Sequence, residues 1–110
     1  MIILPEQSYD ETNTIVGEKY RGDGYYGRTD GLHTVAYYLN GFVGEIKIQA
    51  TLVLDPAETD WFTVDDTEIG DASTVLTENS YRNFTGNFVW IRAVVENFSA
   101  GNIKKITYSN

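Results

Sequence analysis

The stretch from Asn87 to Phe98, NFVWIRAVVENF, is the longest apolar segment of the sequence and constrains the fold most strongly. Its alternate residues are all apolar: Val89, Ile91, Ala93 and Val95. This period of two is typical of a β-strand with one face in a core. The opposite face mixes aromatic, charged and apolar groups: Phe88, Trp90, Arg92, Val94 and Glu96. We therefore predict a central strand whose second face also contacts something.

Alternation and turn signals recur along the whole chain. The cleanest alternation, GEIKIQATLVL, runs from Gly44 to Leu54 and stops at Pro56. Asn40-Gly41 is typical of a tight turn between two strands, and Ser99-Ala-Gly101 predicts another turn before the last strand. Such spacing predicts an all-β fold: a single-domain β-sandwich or jelly roll of about eight short, mostly antiparallel strands.

The first residues have a different pattern from the rest. We predict that residues 1–13 form an extended N-terminal arm and that residues 14–110 form the β-sandwich domain. Pro5 confines any strand in the arm to an edge. Ile2, Ile3 and Leu4 are expected to pair at such an edge or to dock on a neighbouring chain.

Composition and charge exclude several classes of function. The chain has 110 residues and a net charge of −8, which argues against nucleic acid or an anionic bilayer as a partner. The absence of Cys excludes disulfides, zinc–thiolate sites and cysteine nucleophiles. The N-terminus lacks the basic segment of a signal peptide, and no apolar run reaches the roughly 18–20 residues of a membrane span.

The chain carries no recognisable catalytic or metal-binding motif. Its only histidine, His33, lies inside a predicted strand, and no G-x-S-x-G motif accompanies it. Asp65–Asp71, DDTEIGD, gathers four acids around a glycine, but the spacing does not match an EF-hand loop. We expect a solvated acidic loop there, and no enzymatic activity, catalytic residue, metal or cofactor.

Carbohydrate binding has more support among the residue types. Sugar sites combine aromatic faces with polar groups that hold hydroxyls. One loop and strand start supplies both, and its candidate glycan-binding residues are Tyr25, Tyr26, Arg28, Asp30 and His33. Trp61 and Trp90 are further candidates, with packing inside the fold as the alternative for each.

Part of the sequence resembles a discoidin-like or galactose-binding jelly roll. The motifs lie in the second half: IKIQATL, the segment DWFTV at Asp60–Val64, FVWIRAVV, and GNIKKITY in the last strand. This resemblance implies a jelly-roll fold and is compatible with a carbohydrate-binding module, which is the alternative function.

A longer part, roughly Gly22 to Tyr108, resembles small β-sandwich virion structural proteins of tailed bacteriophages, especially T4-like phages of marine cyanobacteria. The motifs are GRTDG with HTV, GEIKIQATL, P-x-x-x-D-W-F and GNFVWIRAVVENF, followed by a GNIKKI-type strand. The resemblance implies a head, neck, baseplate or fibre component, made in the host cytoplasm and located in the virion. Its implied partners are other copies of itself and other virion proteins.

The aromatic and charged face of the central strand has a second interpretation. An aromatic–arginine surface is typical of interface hot spots. We therefore expect a subunit interface formed by the arm and by one face of this strand, with Ile2, Ile3, Leu4, Phe88, Trp90 and Arg92 as its candidate residues. A host-surface glycan as an additional ligand is compatible with such a particle component.

Overall fold

The computed structural model describes residues 1–10, 14–26 and 31–109. In this part the chain is all-β, as predicted, and its strands pair antiparallel. The strands are β1 Ile2–Leu4, β2 Gln7–Ser8, β3 Ile15–Val16, β4 Tyr20–Arg21, β5 Leu32–Thr51, β6 Phe62–Thr63, β7 Ser80–Thr85 and β8 Trp90–Ser109. Two 3-10 turns, Asp23–Tyr26 and Glu58–Asp60, and two isolated β-bridges, Phe42 with Leu76 and Ile46 with Ile69, accompany these strands. No helix in these residues has the length and apolar character needed to cross a membrane.

A two-stranded ribbon of β5 and β8 organises the fold. Each strand has 20 residues, and they pair from Thr34 with Ser109 to Thr51 with Trp90. The other edge of β8 pairs with β1, β2, β3 and β4, while the other edge of β5 pairs with β6 and β7. Every described strand therefore belongs to one hydrogen-bonded sheet built on this ribbon.

The ribbon bends at its middle, and the bend turns one sheet into two layers. Before the bend the buried residues of β5 are odd-numbered: Val35, Tyr37 and Leu39; after it they are even-numbered: Ile46, Ile48 and Ala50. The pairing register shifts repeatedly between Tyr38 and Glu45. Such irregularities bend a strand and re-aim its side chains. The two halves consequently enclose one core, with the rings of Phe42 and Phe98 5.2 Å apart at the bend.

The prediction of two turns inside this ribbon was wrong. Asn40-Gly41 and residues 99–101 are positions where β5 and β8 bend without ending. The glycines do adopt the left-handed backbone that a turn requires, with φ of 67° at Gly41 and 82° at Gly101. The same backbone also serves a bulge, and pairing continues on both sides of it.

The core face of the central strand was predicted correctly. Ile91, Ala93 and Val95 are fully buried, whereas Val89 lies before β8 and is half-buried. Among the N-terminal residues, Ile3 and Leu4 belong to the chain's own core, because β1 pairs with the end of β8. Ile2 remains 51% exposed and is the residue of this trio that stays accessible on the surface.

The bend predicts different outcomes for two alanine substitutions. Gly41→Ala is expected to cost about 1–2 kcal/mol, because only the left-handed backbone penalises a Cβ and nothing else lies within 4 Å of it. Gly101→Ala places a Cβ against the backbone carbonyl of Gly41. Its free energy of unfolding should therefore fall by about 2 kcal/mol or more beyond the loss in Gly41→Ala. Urea unfolding of both variants measures the difference. Equal losses would contradict the close approach of the two strands.

Candidate functional site

An open groove lies between β6 and β7, where the bend of the ribbon brings the two ends of β5 to one side of the sandwich. Its volume is about 490 Å³. The groove is lined by Leu32, Phe62, Thr63, Val64, Asp65, Asp66, Asn83, Phe84, Thr85 and Phe88. It therefore combines aromatic side chains with carboxylates, an amide and hydroxyls.

The floor of the groove is a cluster of aromatic rings around Phe88. The centroid of the Phe88 ring lies 5.8 Å from that of Phe62 and 6.2 Å from that of Phe84. Phe62 is 42% exposed, so its ring is available to a ligand. Gly86 makes room for this arrangement, since a Cβ at that position would overlap the Phe88 ring. The resulting surface is apolar and supported from below.

His33 provides this support. The imidazole is fully buried and stacks on Phe84, with the ring centroids 4.8 Å apart. Its Nε2 lies 2.6 Å from the Gly86 carbonyl oxygen and its Nδ1 lies 2.5 Å from the Tyr108 hydroxyl. A carbonyl oxygen only accepts, so Nε2 donates, and in the neutral ring Nδ1 accepts from Tyr108. With both nitrogens bonded inside the core, His33 has no atom to offer a sugar on the surface.

Asp65 and Asp66 stand at the rim of the groove because a buried threonine anchors their turn. The Thr67 hydroxyl donates to the Val64 carbonyl at 2.8 Å and accepts from the Ile48 amide at 3.1 Å. The Thr67 carbonyl accepts from the Tyr37 hydroxyl at 2.7 Å. Burial raises the pKa of Tyr37 far above its usual value, so this donor keeps its proton. Both aspartates are exposed.

Asn83 supplies an amide on the opposite side of the groove. Its Oδ1 accepts a hydrogen bond from the Thr34 hydroxyl at 2.7 Å, which fixes the orientation of the side chain. The Nδ2 group is left without a protein acceptor among the described residues. The rim thus presents acceptors on one side and a donor on the other, the pair of functions that a hydroxyl group needs.

The rest of the acidic segment is dispersed. Asp71 accepts from the backbone amides of Ser73 and Thr74 at 2.9 and 2.8 Å and closes its own exposed turn. These bonds, with those from the two hydroxyls, lower the pKa of its carboxyl. Within the described residues no three or more acidic or histidine side chains converge as a metal ion would require.

The second face of β8 contacts mainly its own chain. The Trp90 indole N–H donates to the Leu54 carbonyl at 2.8 Å, and the Lys19 ammonium lies 5.0 Å from the centre of the indole. The Arg92 guanidinium lies 4.2 Å from the centre of the Trp61 ring and donates to Gln49 at 2.9 Å. The segment between β5 and β6 therefore covers much of the surface that we expected to meet a neighbouring subunit.

Of the five sugar-binding residues expected from the sequence, the structure describes the side chains of two, Tyr25 and His33, and these lie in different parts of the fold. Tyr25 packs against Trp90, with ring centroids 5.1 Å apart, and Arg21 lies over its ring. His33 is in the core beneath the groove. Arg28 and Asp30 lie outside the described residues, as does the side chain of Tyr26. The sequence did not indicate Phe62, Asn83 or Thr67 as site residues. The one signal among them was the position of Phe62, directly after the Asp60-Trp61 pair.

The hydrogen bond beneath the floor predicts a specific loss of stability. Tyr108→Phe removes the hydroxyl that donates to His33 and leaves a buried acceptor without that donor, so it should cost about 1–3 kcal/mol. Tyr81→Phe is the matched control, because Tyr81 is 63% exposed and its change should stay within about 0.5 kcal/mol. Urea unfolding compares the two. Equal free energies of unfolding for the two variants would show that the hydrogen bond between Tyr108 and His33 does not stabilise the fold.

Comparison with known proteins shows a similarity of fold but assigns the chain to no family. No protein-family model matches the sequence, and no curated protein is similar to it. The SPBc2 prophage-derived protein YomS is similar in structure, with a TM-score of 0.50, 19% identity, and coverage of 99% of this chain and 97% of that one.

Two further solved structures resemble the chain less. One is CBM29_1, a family 29 carbohydrate binding module from Piromyces equi, with a TM-score of 0.47, 11% identity, and coverage of 100% of this chain and 89% of that one. The other is the K2 cleaved adhesin domain of Lys-gingipain, with a TM-score of 0.45, 12% identity, and coverage of 88% and 62%. At these identities the likenesses concern the β-sandwich fold alone.

Proposed function

We propose that this protein is a non-catalytic carbohydrate-binding module and that the groove between β6 and β7 is its binding site. The observation that carries the proposal is the exposed ring of Phe62 above a supported aromatic floor, with Asp65, Asp66 and Asn83 at the rim. Aromatic surface with a few oriented polar groups is the usual composition of a small-ligand site.

The chemistry of the groove suits an uncharged sugar. The C–H face of a pyranose ring packs on an aromatic ring, and its hydroxyls donate to carboxylates and accept from an amide. The volume of about 490 Å³ lies within the roughly 300–1,000 Å³ of pockets that hold compact ligands. The acidic rim would repel an anionic sugar, since the described residues that line the groove include no Lys or Arg.

The same geometry favours binding over hydrolysis. A glycosidase needs one carboxylic acid that stays protonated in a desolvated setting and a second carboxylate across the scissile bond. Asp65 and Asp66 are consecutive in one exposed turn, so they share one side of the groove. The buried His33, with both ring nitrogens occupied, supports the same conclusion.

A glycan array followed by calorimetry tests the proposal. We expect neutral glycans to bind, and Phe62→Ala to weaken the affinity roughly 10-fold or more by removing the exposed aromatic face. Tyr81→Ala is the matched control, because Tyr81 is also exposed but does not line the groove. An array with no neutral ligand, or equal affinity of wild type and Phe62→Ala, would overturn the assignment.

A second candidate function is assembly within a bacteriophage particle, which the sequence resemblance implies. The structural observation that favours it is three consecutive exposed apolar residues, Leu52, Val53 and Leu54, at 63%, 41% and 67% exposure. Three such side chains together are more typical of a contact surface than of a free loop. We propose that copies of this chain associate through this segment in the virion, a role compatible with glycan binding.

The assembly proposal predicts an oligomer that depends on these side chains. Leu52→Ser with Leu54→Ser should convert the oligomer to a monomer in light scattering after gel filtration, because the apolar contact is lost. Val75→Ser is the control, since Val75 is equally apolar and 60% exposed. A wild-type chain that stays monomeric at high concentration would refute association through this segment.

A further inference from the structure

A shallow polar depression on the second face of β8 differs in composition from the groove between β6 and β7. It has a volume of about 160 Å³ and is lined by Gly17, Lys19, Pro56, Glu58, Trp61 and Arg92. This volume is below the roughly 300–1,000 Å³ of larger ligand pockets, so the depression suits one small group. Two cations, one carboxylate and one indole ring face the same space.

The ion pair inside the depression is asymmetric. The Arg92 side chain is only 10% exposed, whereas that of Glu58 is 83% exposed. Their N–O distances are 3.2 and 3.4 Å, longer than the roughly 2.7–2.9 Å of a strong charge-assisted bond. The buried cation therefore needs an anion, because an uncompensated buried charge is costly. The exposed carboxylate loses little when it returns to water, so a second carboxylate is able to replace it.

Neighbouring contacts fix the positions of the side chains that line the depression. Asp60 accepts from the Ala57 amide at 2.8 Å and fixes the 3-10 turn that carries Glu58. Gln49 holds Arg92 through Nε, so the two terminal nitrogens remain the ones that face the depression. Lys19 forms no ion pair with a carboxylate among the described side chains, and its ammonium lies over Trp90.

We infer that this depression binds the carboxylate of an acidic sugar, a hexuronic acid, in the place that Glu58 occupies in the unbound protein. The ligand carboxylate pairs with Arg92 and Lys19, and the pyranose ring packs beside Trp61. The indole ring selects a carboxylate attached to a ring over a bare anion. Glu58 acts as an internal competitor that keeps Arg92 neutralised until the ligand arrives. The site lies apart from the groove, which favours uncharged sugars.

The test is an NMR titration of the full chain with galacturonate, with acetate and methyl galactoside as comparison ligands. We expect galacturonate to bind with about millimolar affinity and to shift the indole N–H signal of Trp61, with acetate and methyl galactoside several-fold weaker. Equal affinity for acetate would overturn the assignment to a sugar acid. An unmoved Trp61 signal with every ligand would overturn the site itself.

Three variants separate the site from general charge effects. Glu58→Gln removes the competing charge and should raise the galacturonate affinity about two- to fivefold, while Lys19→Gln should lower it by a similar factor. Glu6→Gln removes the same charge from an exposed position that does not line the depression and should leave the affinity unchanged. An equal rise in Glu6→Gln, or a loss of binding in Glu58→Gln, would contradict the proposal. Failure of neutral glycans in the groove would leave this result unaffected.

Discussion

The close approach of β5 and β8 at Gly41 and Gly101 is the contact on which the rest of the structure depends. Every other described strand pairs with one of these two, so the place where they bend decides which strands become neighbours. A side chain on Gly101 would collide with the Gly41 carbonyl, and both glycines use a backbone conformation that disfavours a Cβ. Because the ribbon bends here, β6 and β7, which pair with opposite ends of β5, come to flank a single groove.

The two candidate sites use opposite electrostatics on one acidic chain. The groove places carboxylates beside exposed aromatic surface, whereas the depression on the second face of β8 gathers Lys19 and Arg92 around Trp61. Each set of charges is organised by neutral groups: Thr67 and Tyr37 hold the acidic rim, and Gln49 holds Arg92. The positions of the charges, and not the net charge of −8, therefore set what each surface attracts.

His33 illustrates how a residue type misleads when its surroundings are unknown. In the sequence it follows a polar, tyrosine-rich loop and shares the composition of a sugar site. In the structure it stacks on Phe84 and bonds Tyr108 and Gly86, two positions more than 50 residues away along the chain. Its role in the fold is to support Phe84 and Phe88 from the core. Arg92 shows the same effect, because its partners Glu58 and Gln49 come from other parts of the chain.

The sequence by itself determined the all-β class and the inward face of the central strand, because a period of two is a local property that burial enforces. The tertiary structure alone decided that two expected turns are bends within 20-residue strands, since a glycine with positive φ serves either purpose. It also decided the composition of both candidate sites. The groove is lined by Phe62, Asn83 and Asp65 together only because β6 and β7 both pair with β5, which bends between them. The second face of β8 is largely covered because the 52–61 segment folds back over it, a long-range contact that no local pattern encodes.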